Sequence, residues 1–255
     1  MDSPKSSNTQ SASLHDPAFP VGIAHTLERA GLGLCYHWQG PLQLCAGRPR
    51  IGMIGTRKPD AESEAAMERL ASALSRRGAI IISGAAVGVD IAAHRGALKE
   101  NGSTIACVPF GLATTDLATW RDGLLDPASG RTLVISALQP HQQVTTKTPI
   151  LRNRLIAALS QVVVVGEAGL GSGTHHCRRF AEKLHARFFF LTGFAGNDKQ
   201  LLAMQEGWRK RGAIPFTKDQ ACDDALVEEI IGAAKSFEEQ EAASRAAQLK
   251  LFPSS

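Results

Sequence analysis

Six short apolar runs alternate with segments of helical spacing through the middle of this chain, and few folds accommodate that alternation. The runs are Ile51–Ile54, Ala79–Ile82, Thr104–Val108, Leu133–Ile135, Val162–Val165 and Phe188–Leu191. Strands this short, and apolar on both faces, predict a parallel sheet covered by helices on either side. Between the first two runs, Asp60 is placed to cap a helix. Its apolar positions Met67, Leu70, Ala71 and Leu74 fall at i, i+3, i+4 and i+7, and Gly78 stops it. Further helices are predicted at 91–99, 154–159, 174–185, 200–208 and 224–234, with a helix-like piece at 25–30. The fold class is therefore α/β, a doubly wound parallel sheet.

Composition closes other routes. Aromatic residues make up 5% of the 255 residues, which disfavours a sandwich or barrel built on aromatic strands. No apolar stretch approaches the roughly 18 residues that span a bilayer, so the chain is not expected to enter a membrane. The five cysteines (Cys35, Cys45, Cys107, Cys177, Cys222) are scattered and odd in number, and none is paired as C-x-x-C. That usage, without a secretory leader, predicts reduced thiols in a cytoplasm.

The organisation expected from sequence has five parts. Residues 1–16, rich in Ser, Asn and Gln, read as a disordered tail, and 17–49 as a lead-in. Residues 50–215 form the sheet domain, 216–240 an acidic helix, and 241–255 a flexible tail. Charge divides along the same lines. The chain carries +4 overall, yet residues 221–255 carry −4 and residues 1–20 carry −1, leaving +9 on the body. A basic body with an acidic tail points to a polyanionic partner.

Ligands of doubly wound sheets bind beyond the carboxyl ends of the strands. Three loops predicted there share a composition: Gly55-Thr56-Arg57, Ser83-Gly84-Ala85-Ala86-Val87-Gly88 and Gly169-Leu170-Gly171-Ser172-Gly173-Thr174. Glycines let backbone N–H groups approach a ligand, small hydroxyls such as Ser172 and Thr174 add donors, and each following helix adds its positive end. Basic residues gather near the same edge: Arg57 and Lys58, then Lys147, Arg152 and Arg154 around Asn153. Read as the opening of a helix, Arg152-Asn153-Arg154 faces an unfavourable dipole, which implies an anion to meet. No G-x-x-x-x-G-K-[ST] run exists, and no G-x-G-x-x-G follows the first strand, so P-loop and NAD sites are excluded and no cofactor is expected. His175, His176 and Cys177 are consecutive on a helix and cannot converge on one metal ion. His94 reads as a structural hydrogen-bonder.

Five ordered motifs resemble the DprA/Smf family of DNA-processing proteins: IGMIGTR (51–57), SGAAVGVDIAAHRGAL (83–98), GSTIACVPFGL (102–112), RNRLIAALS (152–160) and EAGLGSGT (167–174). The similarity covers about residues 35–212. It implies an extended Rossmann fold that binds single-stranded DNA without catalysis, usually as a dimer, and helps load RecA. It also implies a DNA pocket using Arg57, Ser83, Gly84 and a lysine matched most nearly by Lys147. The chain departs from the pattern at Pro149, where the family has an aromatic, at Val87, where it has Arg, and around Pro109 and Phe110. No winged-helix domain is expected after residue 220. The alternative is a nucleotide-sensing regulator, for instance in phage defence. A phosphoribohydrolase of the same superfamily is disfavoured because its required acid falls at Cys177.

Near the C-terminus, Gln248-Leu249-Lys250-Leu251-Phe252 resembles the Q-L-x-L-F motif by which bacterial replication and repair proteins dock on the sliding clamp. Gln248, Leu249, Leu251 and Phe252 are the expected partner-binding residues.

Overall fold

The computed structural model describes residues 9–251 apart from 18, 34, 114–123, 171–172, 195 and 197. Six parallel strands carry the predicted apolar runs: β3 (Arg50–Ile54), β4 (Ile80–Ser83), β5 (Ser103–Cys107), β6 (Thr132–Ser136), β7 (Val162–Val165) and β8 (Arg187–Leu191). Short β9 (Ile214–Phe216) adds one further parallel strand beside β8, and all seven lie in one sheet with β1 (Gln10–Ser13) and β2 (Cys35–Gln39). The order is β1-β2-β6-β5-β4-β3-β7-β8-β9. Val162–Val165 is wholly buried, as a central strand covered on both faces requires.

Two helical layers cover the sheet. On one face, α2 (Ala61–Arg76), α3 (Val89–Lys99) and the start of α7 (Asp224–Leu251) pack through Met67, Leu70, Leu74 and Ile230 onto Ile51, Met53 and Val164. On the other, α1 (Val21–Arg29), α4 (Thr148–Leu159), α5 (Thr174–Lys183) and α6 (Lys199–Arg209) meet Ile54, Ile82, Val163 and Phe190. Asp60 caps α2 as expected, accepting from the Ser63 N–H at 2.7 Å.

Several expected boundaries are corrected. Residues 10–13 are a strand rather than part of a disordered tail. Their polar side chains do not prevent pairing, because edge pairing is made by backbone groups: Gln10–Ser13 register antiparallel against Trp38–Cys35. The lead-in 17–49 is likewise part of the same domain. It supplies β2, antiparallel to β6, and an aromatic cluster in which Phe19 lies 5.5 Å from Tyr36 and 6.2 Å from Trp38 between ring centroids. The sheet is therefore mixed at this edge, not wholly parallel. At the other end, α7 continues to Leu251, through most of the segment expected to be flexible. Its Glu, Ala and Gln content favours helix strongly enough to extend well beyond its buried part.

Helix α4 also starts earlier than the sequence predicted. Pro149 occupies a first-turn position, where its fixed φ suits helix initiation, so the helix opens at Thr148. Arg152, Asn153 and Arg154 thus lie beyond the first turn. The argument from an unfavourable dipole does not apply to them.

Candidate nucleic-acid interface

The chain leaves β3 in a turn whose neighbours fix it from both sides. The Thr56 N–H donates to the Glu167 carbonyl beyond β7 at 2.7 Å, and the Val89 N–H beyond β4 donates to the Thr56 carbonyl at 3.3 Å. The Glu167 carboxylate also accepts from the Asp60 N–H at 2.8 Å. Gly88, at φ +83°, lets the β4 loop close on this turn; a Cβ there would lie 2.6 Å from the Thr56 carbonyl oxygen. The turn is held by backbone, and its cations stay outside. Arg57 and Lys58 are exposed, and neither forms a salt bridge among the described residues.

A cleft of about 460 Å³ opens beside this turn. Arg57, Lys58, Ala86, Asp90, Pro149, Arg152, Asn153, Gly173 and Thr174 are among the residues that line it. Lys147 is exposed at the N-cap of α4, two residues before Pro149. Three exposed cations, Arg57, Lys58 and Lys147, therefore share the carboxyl edge of the sheet.

Other expected contacts are engaged internally. Arg152 is buried. It donates to the Gly84 carbonyl, and its Nη1 lies 3.3 Å from the Asp90 carboxylate. Its apolar surroundings explain this: Thr148, Arg152, Leu155, Ile156 and Leu159 share one buried helical face. Gly84 serves that arginine rather than a ligand, since a Cβ at Gly84 would overlap the guanidinium. Burial pushes the Asp90 carboxyl up, and the Arg152 guanidinium opposes that shift. Arg154 turns the other way. It donates to the carbonyls of Ala30 and Gly31 and lies 4.9 Å over the Phe180 ring. The Ser83 hydroxyl is wholly buried and donates to the Met53 carbonyl at 2.5 Å. Arg152, Arg154, Ser83 and Gly84, expected as ligand contacts, thus have partners within the framework, and Arg152 also lines the cleft. Asn153 and Thr174 reach the cleft wall, with the Asn153 amide donating to the Gly173 carbonyl at 3.0 Å. Ser172 lies outside the described residues.

Sequence reasoning missed Asp90 and Glu167. A signal for Asp90 was present: an arginine on an otherwise apolar helix face demands a buried acid, and Asp90 stands in the first turn of α3 after a glycine loop. His94 is structural, as expected. Thr104 Oγ donates to the Ile81 carbonyl at 2.8 Å, so it accepts from His94 Nδ1 at 2.6 Å, and burial lowers the His94 pKa to about 3. Far from the cleft, Gln248, Leu249 and Leu251 sit in the last turns of α7, and Phe252 lies outside the described residues. Among the described residues, no helix is long and apolar enough to cross a membrane.

Comparison with known proteins agrees with this frame. The chain is 32% identical over 126 residues to DNA processing protein DprA of Streptococcus pneumoniae, covering 49% of this chain and 44% of that one. It is 30% identical over 184 residues to protein Smf of Escherichia coli, covering 67% and 45%. The chain spans less than half the length of the curated relatives it matches. Among solved structures, S. pneumoniae DprA matches with a TM-score of 0.69 at 26% identity, over 84% of this chain and 73% of that one. DNA processing protein A of Helicobacter pylori, described for its single-stranded DNA binding mode, matches with a TM-score of 0.68 at 26% identity, over 86% and 97%. The model of DNA recombination-mediator protein A matches residues 10–220, the whole sheet from β1 to β9, and the chain belongs to that family.

Proposed function

We propose that this protein binds single-stranded DNA along the carboxyl edge of its sheet, without catalysis, and acts in DNA uptake or recombination. In this reading it works in the cytoplasm as a homodimer, protecting the strand or helping to load RecA on it. One observation carries the reading: the Arg57–Lys58 turn is fixed by its backbone while both cations face solvent beside an open cleft. Such cations suit successive backbone phosphates, which give affinity that is salt-dependent and largely indifferent to sequence. The H. pylori relative, described for single-stranded DNA binding, supports the choice of ligand. The small-nucleotide sensor is less favoured, since the relatives are named for DNA processing.

Oligonucleotide affinity measured at two salt concentrations, with duplex as comparison, tests the site. Arg57→Ala and Lys147→Ala are each expected to weaken binding and to reduce the slope of log affinity against log salt by about 0.7. An unchanged slope in both variants would refute the site. The reading includes docking of Gln248, Leu249, Leu251 and Phe252 on the sliding clamp, for which the helical turn at 248–251 would have to unwind into an extended strand. Undiminished clamp pull-down after deletion of residues 248–255 would remove that part alone.

A further inference from the structure

Among the described residues, four large apolar side chains are exposed: Val87, Val144, Leu170 and Leu202. A single exposed aliphatic needs no explanation, but these four all follow the carboxyl ends of strands. Val87 follows β4, Val144 follows β6, Leu170 follows β7, and Leu202 lies early in α6 after β8. All belong to segments that leave the carboxyl ends of strands.

Val87 and Leu170 are the most telling pair. They are 67% and 48% exposed, and β4 and β7 are the two neighbours of β3 in the sheet. Their loops therefore flank the Arg57–Lys58 turn, one on each side, and each is hydrogen-bonded to it through Val89 or Glu167. Two strand spacings separate the loops, about 10 Å. The surface thus reads apolar, cationic, apolar across that distance. A ligand complementary to it carries negative charge and exposed apolar faces in close succession. An unpaired nucleic-acid strand has this character, whereas a duplex hides its base faces in the stack.

Resting on the reading of this edge as a single-strand site, we propose that Val87 and Leu170 are base-contacting residues. They form aliphatic platforms on either side of the cationic turn, against which unpaired bases pack while their phosphates meet Arg57 and Lys58. The same residues give the site its preference for unpaired over paired strands.

Fluorescence anisotropy on the full chain tests this with two probes of equal length, oligo-dT and an abasic strand that keeps only sugar and phosphate. The native protein is expected to bind oligo-dT about tenfold more tightly than the abasic strand. Val87→Ser and Leu170→Ser are each expected to lower oligo-dT affinity about three- to tenfold, leaving abasic affinity and the salt slope unchanged. Equal affinity of the native protein for both probes would overturn the platforms while leaving the phosphate site intact, provided Arg57→Ala still flattens the salt slope. Binding to neither probe would instead fell the underlying reading. Should light scattering show that the serine variants split a dimer, these residues cover one another between two copies and the proposal is refuted.

Discussion

Strand β3 begins with one arginine and is followed, in the turn past its end, by another, and the two are treated oppositely. Arg50, at its amino end, is buried and saturated: it donates to the Leu159 carbonyl at 3.0 Å and meets Glu238 at 3.2 Å, while its own N–H donates to Gln161 at 2.8 Å. Glu238 also accepts from the Gln161 amide, so α7 is fastened across the amino edge of the sheet. Arg57, three residues past the carboxyl end, has its backbone held and its guanidinium left in water. What differs is whether a carboxylate is paired with the guanidinium: Glu238 meets Arg50, whereas Asp90, which lines the same cleft as Arg57, is paired with Arg152. At the amino edge arginine is a fastener. At the carboxyl edge it is available to a ligand, while Arg152 below it shows what the fastened version looks like in the same cleft.

The largest test of this contrast is Arg152→Ala. Removing the guanidinium leaves Asp90 buried without its ion-pair partner, and breaking one partner of a buried pair costs about 3–5 kcal/mol. Chemical denaturation should register that loss, and a second change, Asp90→Asn, should recover part of it. A loss under about 1 kcal/mol would mean that Arg152 is not the framework residue described above.

Next in size is a pH effect from His94, which is buried and feels the charge of Arg152. Its folded pKa is lowered by burial from 6.5 to about 3. Between those values the unfolded chain takes up a proton that the folded chain refuses. Stability should therefore fall as pH drops below 6.5, by up to about 1.4 kcal/mol per pH unit from this group. Urea denaturation from pH 7.5 to 5.5 checks it. His94→Asn, which cannot titrate, should show a shallower dependence over that window, and identical slopes would contradict the assignment.

The fold was largely readable from sequence because buried parallel strands leave continuous apolar runs, as at Val162–Val165, and caps such as Asp60 have local causes. The antiparallel edge was not readable. Gln10–Ser13 pairs through its backbone, and polar side chains give such a strand no pattern to detect. The site was half readable. Arg57 and Lys58 follow a strand directly, and their placement needs only the sheet. Arg152 and Arg154 depend on which face of α4 they occupy, and that was misjudged because the helix start was misplaced by several residues. Arg152 at i, with Leu155 and Ile156 at i+3 and i+4, carried the correct answer in the pattern of its own helix.

A smaller expected effect separates the two edges most cleanly. Glu238→Ala removes the acid that fastens Arg50, but Glu238 is 47% exposed and Arg50 keeps its bond to the Leu159 carbonyl. The cost should be about 1 kcal/mol, with oligonucleotide affinity and its salt slope unchanged, because the lost contact lies at the far end of β3. Arg57→Ala should do the reverse: stability within about 0.5 kcal/mol of the native protein, as for an exposed side chain outside any salt bridge among the described residues, but a clear loss of binding. Measuring both properties on both variants forms a crossed design. If Glu238→Ala weakened DNA binding as much as Arg57→Ala, the two edges would be coupled through the strand, and the division of labour between its arginines would be lost.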